Sequence, residues 1–451
     1  MTTHALAAII LAAGKGTRMK SDTHKVLHPL AGRPMLLHLL DSVTQLGAQR
    51  SVCVVGALGE QVRAVVQPLG VECVTQDPQL GTAHAVLQAL PALAGFEGAV
   101  LILYGDVPLV SAATMRRMLD ALATDPQLAC VVLGFRPADP LAYGRIIADA
   151  QGRIAKMVEF KDASPDERAV RLCNSGLMAV RAADLWPLLE RVGNDNAAGE
   201  HYLPDIVMLA AADGRPSLVV ETDETEVTGV NSRAELAALE ARWQAARRAQ
   251  AMAEGATLIA PETVFFAHDT RLGRDVTIEP NVVFGPGVTV EDGATIHAFC
   301  HIEGAQVGAG CSVGPFARLR PRSVLEAGSR VGNFVELKKT RLGAKAKVNH
   351  LSYVGDTEVG PRANIGAGVI TCNYDGFDKY RTIIGADAFV GSNSALVAPI
   401  SIGAGAIVGA GSALTADVAP DALAVARGTQ SEKPGWAARF RAAKQARKAT
   451  G

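Results

Sequence analysis

From about Leu272 to Ala419 an aliphatic residue returns every six positions along the chain. Val307, Val313, Leu319, Leu325 and Val331 lead successive hexads. After a short break the beat resumes through Val348, Val354 (which opens a five-residue unit), Val359 and Ile365, then Ile384, Val390, Leu396, Ile402, Val408 and Leu414. An α-helix repeats every 3.6 residues and an ordinary strand every two, so neither produces this pattern. A chain that turns a corner every six residues does. Each aliphatic side chain then points inward, small residues lie two places before or after it, and successive coils stack through continuous backbone hydrogen bonding. A flexible Gly- and Ala-rich linker would not hold Val, Ile and Leu in phase for so long. Between Gly255 and Val307 the coils read as shorter than the rest.

The first 233 residues follow a different pattern, apolar strands alternating with amphipathic helices. Ala7–Leu11, Val52–Val55, Val71–Val74 and Val100–Tyr104 read as strands, while Pro34 to Leu46 and Thr82 to Leu90 read as helices. Such alternation predicts an α/β domain with a mostly parallel sheet and helices on its faces, with ligands at the carboxyl ends of the strands. Ser232-Arg-Ala-Glu235 is a capping box, and Leu236, Leu239, Trp243 and Ala246 follow at helical spacing until Gly255. That predicts one long helix, about 30 Å at 1.5 Å per residue, acting as a strut; an interaction helix is the alternative. The expected division is therefore 1–233, 234–254 and 255–451.

Composition narrows the function classes. Lys+Arg 44 against Asp+Glu 45 gives no basic surplus for nucleic acid or an anionic membrane. The seven cysteines never fall in a Cys-x-x-Cys spacing, which argues for free thiols in a reducing compartment. The apolar run Ala5–Ala13 is too short to span a bilayer. A cytoplasmic protein without membrane insertion is expected.

Candidate chemistry sits at the strand ends. Leu11-Ala-Ala-Gly-Lys-Gly-Thr-Arg-Met19 is a glycine-rich turn directly after the first strand. Gly14 and Gly16 would let the backbone approach an anion, with Lys15, Arg18 and Lys25 supplying charge. It is neither a Walker A loop nor a dinucleotide fingerprint, because Met19 stands in place of the third glycine. In Tyr104-Gly105-Asp106 a carboxylate closes a buried strand, suited to Mg²⁺ beside a triphosphate or, more plainly, to capping a turn. These stretches, with Gln76, Gly81-Thr82, Tyr143-Gly144-Arg145, Glu159, Asn174 and Gly229-Val-Asn231, occur in the order found in sugar-1-phosphate nucleotidyltransferases, which the first domain resembles. The resemblance implies that Leu11, Ala12, Ala13, Gly14, Tyr104 and Gly105 line a nucleotide site and that Lys25 meets its phosphates. It implies uracil contacts for Gln76, Gly81 and Thr82, N-acetylated sugar contacts for Gly144, Glu159 and Asn174, and Mg²⁺ ligation by Asp106 and Asn231.

In the coils, Arg320, Lys338 and Lys339 come from neighbouring turns and would stack into a cationic patch, unless each merely faces solvent. His350 could accept a proton from an attacking amine, and Thr371–Thr382 interrupts the repeat as an extruded loop. The coils resemble the hexapeptide-repeat acyltransferases, whose fold is a left-handed parallel β-helix. The whole chain resembles the bifunctional bacterial N-acetylglucosamine-1-phosphate uridylyltransferase/glucosamine-1-phosphate acetyltransferases, which supply cell-wall and lipopolysaccharide precursors. That resemblance makes His350 the acetyl-transfer base and places Arg320, Lys338, Tyr353 and Asn364 on the amino-sugar phosphate. It places Ala367, Asn373, Tyr374, Ser392, Ala410 and Arg427 on acetyl-CoA, with UTP as the second co-substrate, and implies a homotrimer with shared sites. The alternative is a single nucleotidyltransferase whose coils serve only for oligomerisation. The basic tail after Pro434 reads as a solvated helix face.

Overall fold

The computed structural model describes residues 5–140 and 142–449. The chain forms two compact units, Met1–Ala246 and Arg247–Gly451.

The first unit is built on β1 (Leu6–Ala12), which is buried along its whole length. Ala7, Ile9 and Leu11 enter one core while Leu6, Ala8, Ile10 and Ala12 enter the other, so the unbroken apolar run is what a strand covered on both faces requires. Helix α1 (Met35–Gln45) buries Leu36, Leu39, Leu40 and Val43 on one of those faces. Strands β2 (Arg50–Val55), β3 (Glu72–Thr75) and β4 (Ala99–Tyr104) complete the parallel centre, with helix α2 (Thr82–Leu87) between β3 and β4. Helix α2 is shorter than the predicted Thr82–Leu90: Gln88, Ala89 and Leu90 bond to carbonyls three residues back (Ala85, Val86 and Leu87), so the helix closes in tighter turns before Pro91. Beyond them come α3 (Ala112–Thr124), β5 (Cys130–Phe135), the hairpin β6 (Arg145–Ala148) and β7 (Ile154–Val158), then β8 (Cys173–Arg181) and β9 (Leu218–Thr222). The main order is β9-β5-β8-β4-β1-β2-β3. Strand β8 runs antiparallel to both neighbours, so the sheet is mixed.

Helix α4 (Arg233–Ala253) begins with the expected capping box: the Glu235 N–H donates to Ser232 Oγ at 3.2 Å and the Ser232 N–H to Glu235 Oε2 at 3.2 Å. Within the first unit Leu236, Leu239 and Trp243 pack with Leu30, Met35 and Val230. Gly255 follows at φ 104°.

The second unit is a left-handed parallel β-helix with faces of ten, eight and eight short strands. On the ten-stranded face Ile278, Ile296, Val313, Val331, Val348, Ile365, Val390 and Val408 stack directly over one another, each 2 % exposed or less. At about 1.5–3 kcal/mol for each fully buried Val, Ile or Leu, this column is a principal source of stability. The beat also extends earlier than expected. Paired strands begin at Thr257–Leu258, and Leu272, Ile278, Phe284, Val290, Ile296 and Ile302 keep the six-residue interval. The coils between Gly255 and Val307 are thus full turns and not shorter ones, with Phe284 filling the inward position of its coil. The last helix among the described residues is α5 (Trp436–Ala449), which is exposed as far as Lys448. No described helix is long and apolar enough to cross a membrane, and all seven cysteines are free.

Candidate functional sites

In the first unit β1 delivers the glycine-rich turn, and Lys25 lies across it. The Lys25 ammonium pairs with Asp106 Oδ2 and donates to Asn231 Oδ1 at 3.0 Å. Three residues far apart in sequence therefore form one compact, largely buried cluster. Gly16 makes room for this cluster. It sits at φ 58°, and a Cβ there would lie 2.8 Å from the Lys25 Cβ, so only glycine lets the lysine approach. Gly14 faces open space, with no atom within 4 Å of where its Cβ would be. Lys15 and Arg18 are exposed. Gln79, which no motif in the sequence singles out, donates to Ala13 O and ties the turn down. Gly105 and Asp106 follow β4, and the Val230 N–H donates to Asp106 O at 3.0 Å, which brings Asn231 alongside.

Tyr104 links this cluster to a second patch. Burial first, and then the charge of Glu159, push its phenol pKa up, and its side chain hydrogen-bonds Thr82. Burial also raises the Glu159 carboxyl pKa, reinforced by the charges of Asp205 and Asp162. The Asn174 N–H donates to Gly144 O at 2.9 Å, and Asn174 Oδ1 accepts from the Gly176 N–H at 2.9 Å. Thr82 Oγ1 already accepts from the Leu203 N–H at 2.9 Å, which makes it a fixing residue of the loop. Gln76, 5 % exposed, donates from Nε2 to Gly81 O at 2.9 Å.

In the β-helix the paired strands put the second set of candidates in columns. Val331, Val348, Ile365, Val390 and Val408 are register partners, so the residues two places on, Asn333, His350, Ala367, Ser392 and Ala410, stack along one corner. Backbone bonds from Gly368 to His350 O, Asn393 to Ala367 O and Gly411 to Ser392 O continue up that corner. Coils repeat at about 4.8 Å, so Ala410 stands roughly 14 Å from His350. His350 is exposed, with Nδ1 2.9 Å from Asn333 Oδ1. A carboxamide oxygen only accepts, so Nδ1 carries the proton and Nε2 keeps its lone pair free. Asn333 was missed in sequence; the register of one coil below the histidine is the signal that finds it.

On the next face Arg320 and Lys338 are one coil apart, the Arg320 N–H donating to Leu337 O at 2.9 Å. Arg320 Nη1 also pairs with Glu336 Oε1 at 2.9 Å. The extruded loop returns Lys379 to within hydrogen-bonding reach of Lys338. That contact first, then burial and the charges of Lys379 and Arg320, lower the Lys338 pKa. Three mutually repelling cations held together in this way suit a doubly charged phosphate, and Lys379 is the member that sequence spacing did not reveal. Lys339 turns aside to Asp356. Tyr353 lies over Gly355, where a Cβ would meet its hydroxyl at 2.5 Å and Asn373 Nδ2 at 2.9 Å. Arg427 Nη1 donates to Ala410 O at 2.6 Å, closing the small-residue column. Tyr374 is exposed on the loop. Asn364 lies on the ten-stranded face, with Lys347 and Phe389 as its register partners.

Comparison with known proteins gives the same order of domains. Residues 8–164 match the MobA-like NTP transferase domain, residues 269–304 the bacterial transferase hexapeptide (six repeats), and residues 381–416 the hexapeptide repeat of succinyl-transferase. "Bifunctional protein GlmU" of Rhizorhabdus wittichii is 66 % identical over 449 residues, covering 100 % of this chain and 99 % of that protein. The proteins of the same name from Sphingopyxis alaskensis and Novosphingobium aromaticivorans are 65 % and 64 % identical, each covering 98 % of both chains. With identity this high over the full length, and with a nucleotidyltransferase domain followed by a hexapeptide transferase domain, the chain belongs to the bifunctional GlmU family.

Proposed function

We propose that the chain makes UDP-N-acetylglucosamine in two steps, one in each unit. Residues 255–451 acetylate glucosamine 1-phosphate with acetyl-CoA. Residues 1–233 then transfer UMP from UTP to N-acetylglucosamine 1-phosphate and release pyrophosphate, and 234–254 join the two. The observation that carries this reading is the presence of a complete cluster in each unit, Lys25–Asp106–Asn231 in one and the His350 corner with its cations in the other.

For uridylyl transfer the sugar phosphate is already ionised and needs no base, only alignment and charge compensation. Leu11–Gly14 and Lys25 hold the triphosphate, Gln76, Gly81 and Thr82 the uracil, and Gly144, Glu159 and Asn174 the acetylated sugar. Asp106 and Asn231 present two oxygen donors converging on one cation, here the Lys25 ammonium. Hard oxygen ligands of this kind would hold Mg²⁺. When bound, Mg²⁺ offsets the negative charge that opposes attack on the α-phosphate.

For acetyl transfer, Arg320, Lys338, Tyr353 and Asn364 hold the amino-sugar phosphate, joined by Lys379. The column of small residues Ala367, Ser392 and Ala410 leaves a track for the arm of CoA, flanked by Asn373, Tyr374 and Arg427. His350 at its end accepts the amine proton.

The same unit carries an assembly surface. Phe299, Phe316, Phe334 and Leu351 are 45–62 % exposed, at φ between 51° and 61°. The three rings stack at centroid separations of 4.8 and 5.1 Å. Left-handed backbone costs a residue other than glycine about 1–2 kcal/mol, and these side chains offset little of it within their own coil. Association of three copies through the β-helices, in a cytoplasmic enzyme, is the assembly we infer; light scattering that returns a monomer would refute it. The decisive experiment for the activities is to incubate the protein with glucosamine 1-phosphate, acetyl-CoA, UTP and Mg²⁺. CoA, pyrophosphate and UDP-N-acetylglucosamine are the expected products by mass. Accumulation of N-acetylglucosamine 1-phosphate refutes the uridylyltransferase, and absence of CoA favours coils that only assemble.

A further inference from the structure

We propose that His84 sets the choice of nucleobase by fixing the orientation of the Gln76 side-chain amide. This rests on the reading of Gln76 as a base contact and adds to it the residue that determines specificity. Gln76 follows β3, and its backbone N–H is held by Val55 O at 2.8 Å. Its side-chain nitrogen lies 2.9 Å from Gly81 O and 3.1 Å from His84 Nδ1. An amide nitrogen has two hydrogens, and these two acceptors use both.

The second bond requires a lone pair on Nδ1, and so a neutral ring with its proton on Nε2. Burial first, then the charge of His201, lower the His84 pKa and keep the ring neutral. The Gln88 amide also reaches this ring, at 3.2 Å from Nε2, while donating to His84 O at 3.0 Å. The approach of Gln88 to Nε2 is a contact and not a hydrogen bond, since Gln88 is partly exposed and its remaining hydrogen can turn to solvent. Gln76 has none, and therefore takes the single lone pair.

With both hydrogens engaged, Gln76 presents only Oε1, to which no described residue donates a hydrogen bond. An acceptor there pairs with the N3–H of uracil and opposes the N3 lone pair of cytosine. Turned by 180° the same amide would present its NH₂ and read cytosine. Gly81 O and His84 Nδ1 together oppose that turn; the first is backbone, so His84 is the half that a side-chain substitution can remove.

The test compares kcat/KM for UTP and CTP in the full-length protein and in His84→Ala and His84→Asn, with acetyl transfer as a control for folding. In His84→Ala one buried hydrogen of Gln76 loses its acceptor, and the UTP/CTP ratio is expected to fall by about tenfold or more. In His84→Asn the new amide oxygen can occupy the Nδ1 position, and the wild-type ratio should return. Calorimetric binding of UTP and CTP gives the same ratio where turnover is too slow. An unchanged ratio in His84→Ala, an equal fall for both nucleotides, or a loss in His84→Asn as large as in His84→Ala would overturn the proposal. A wild-type protein that uses CTP as well as UTP would instead sink the underlying reading of Gln76.

Discussion

His350→Ala is expected to lower the acetyl-transfer kcat by about 10²–10⁴-fold, the usual contribution of a positioned general base, with uridylyl transfer from supplied N-acetylglucosamine 1-phosphate unchanged. The nucleophile is the reason. An amine attacks a thioester only when deprotonated, and the sugar ammonium is largely protonated near neutral pH. As the C–N bond forms and the C–S bond breaks, the amine proton must leave, and CoA departs as a good thiolate. The Asn333 oxygen beside Nδ1 keeps the His350 proton on that nitrogen, so Nε2 is the accepting atom. Arg320→Ala and Lys338→Ala should behave differently. They remove charge that holds the sugar phosphate in ground and transition states alike, so KM rises more than kcat falls. A fall in kcat below about tenfold for His350→Ala, short of what a positioned base supplies, would make the histidine a structural residue of its coil.

The second large effect is expected in the other unit. Asp106→Ala should reduce uridylyl transfer by about 10²–10³-fold, the range for losing one preorganised electrostatic group, and leave acetyl transfer intact. The carboxylate is the close partner of the Lys25 ammonium, and their side chains are only 17 % and 12 % exposed. Without it Lys25 retains only Asn231, so both the cation that meets the phosphates and the oxygen pair suited to Mg²⁺ are displaced at once. EDTA should reproduce this division, stopping nucleotidyl transfer alone. Loss of acetyl transfer of similar size in Asp106→Ala would show that the two compact units do not act separately.

The sequence by itself determined most of the second unit, because a solenoid is a local structure. Each coil pairs only with the coils before and after it, so the six-residue beat specifies which side chains are buried and which share a corner. His350, Ala367, Ser392 and Ala410 stack because each lies two places beyond an inward aliphatic residue, and counting alone gives that result. Counting failed where the extruded loop left the register and returned Lys379 to Lys338. In the first unit the strands and the capping box were legible for the same local reason.

Only the tertiary structure decided how the first site is assembled. Lys25 meets Asp106 across 81 residues and Asn231 across 206, contacts that no periodicity encodes. That the missing Cβ of Gly16 makes room for the Lys25 stem is visible only in the fold. The orientation of Gln76 likewise depends on Gly81 O and the His84 ring meeting at one nitrogen. Local pattern determines which atoms a segment buries. The direction a polar group faces is set by whichever partners the rest of the chain brings to it, because a buried donor left without one costs more than its bond contributes.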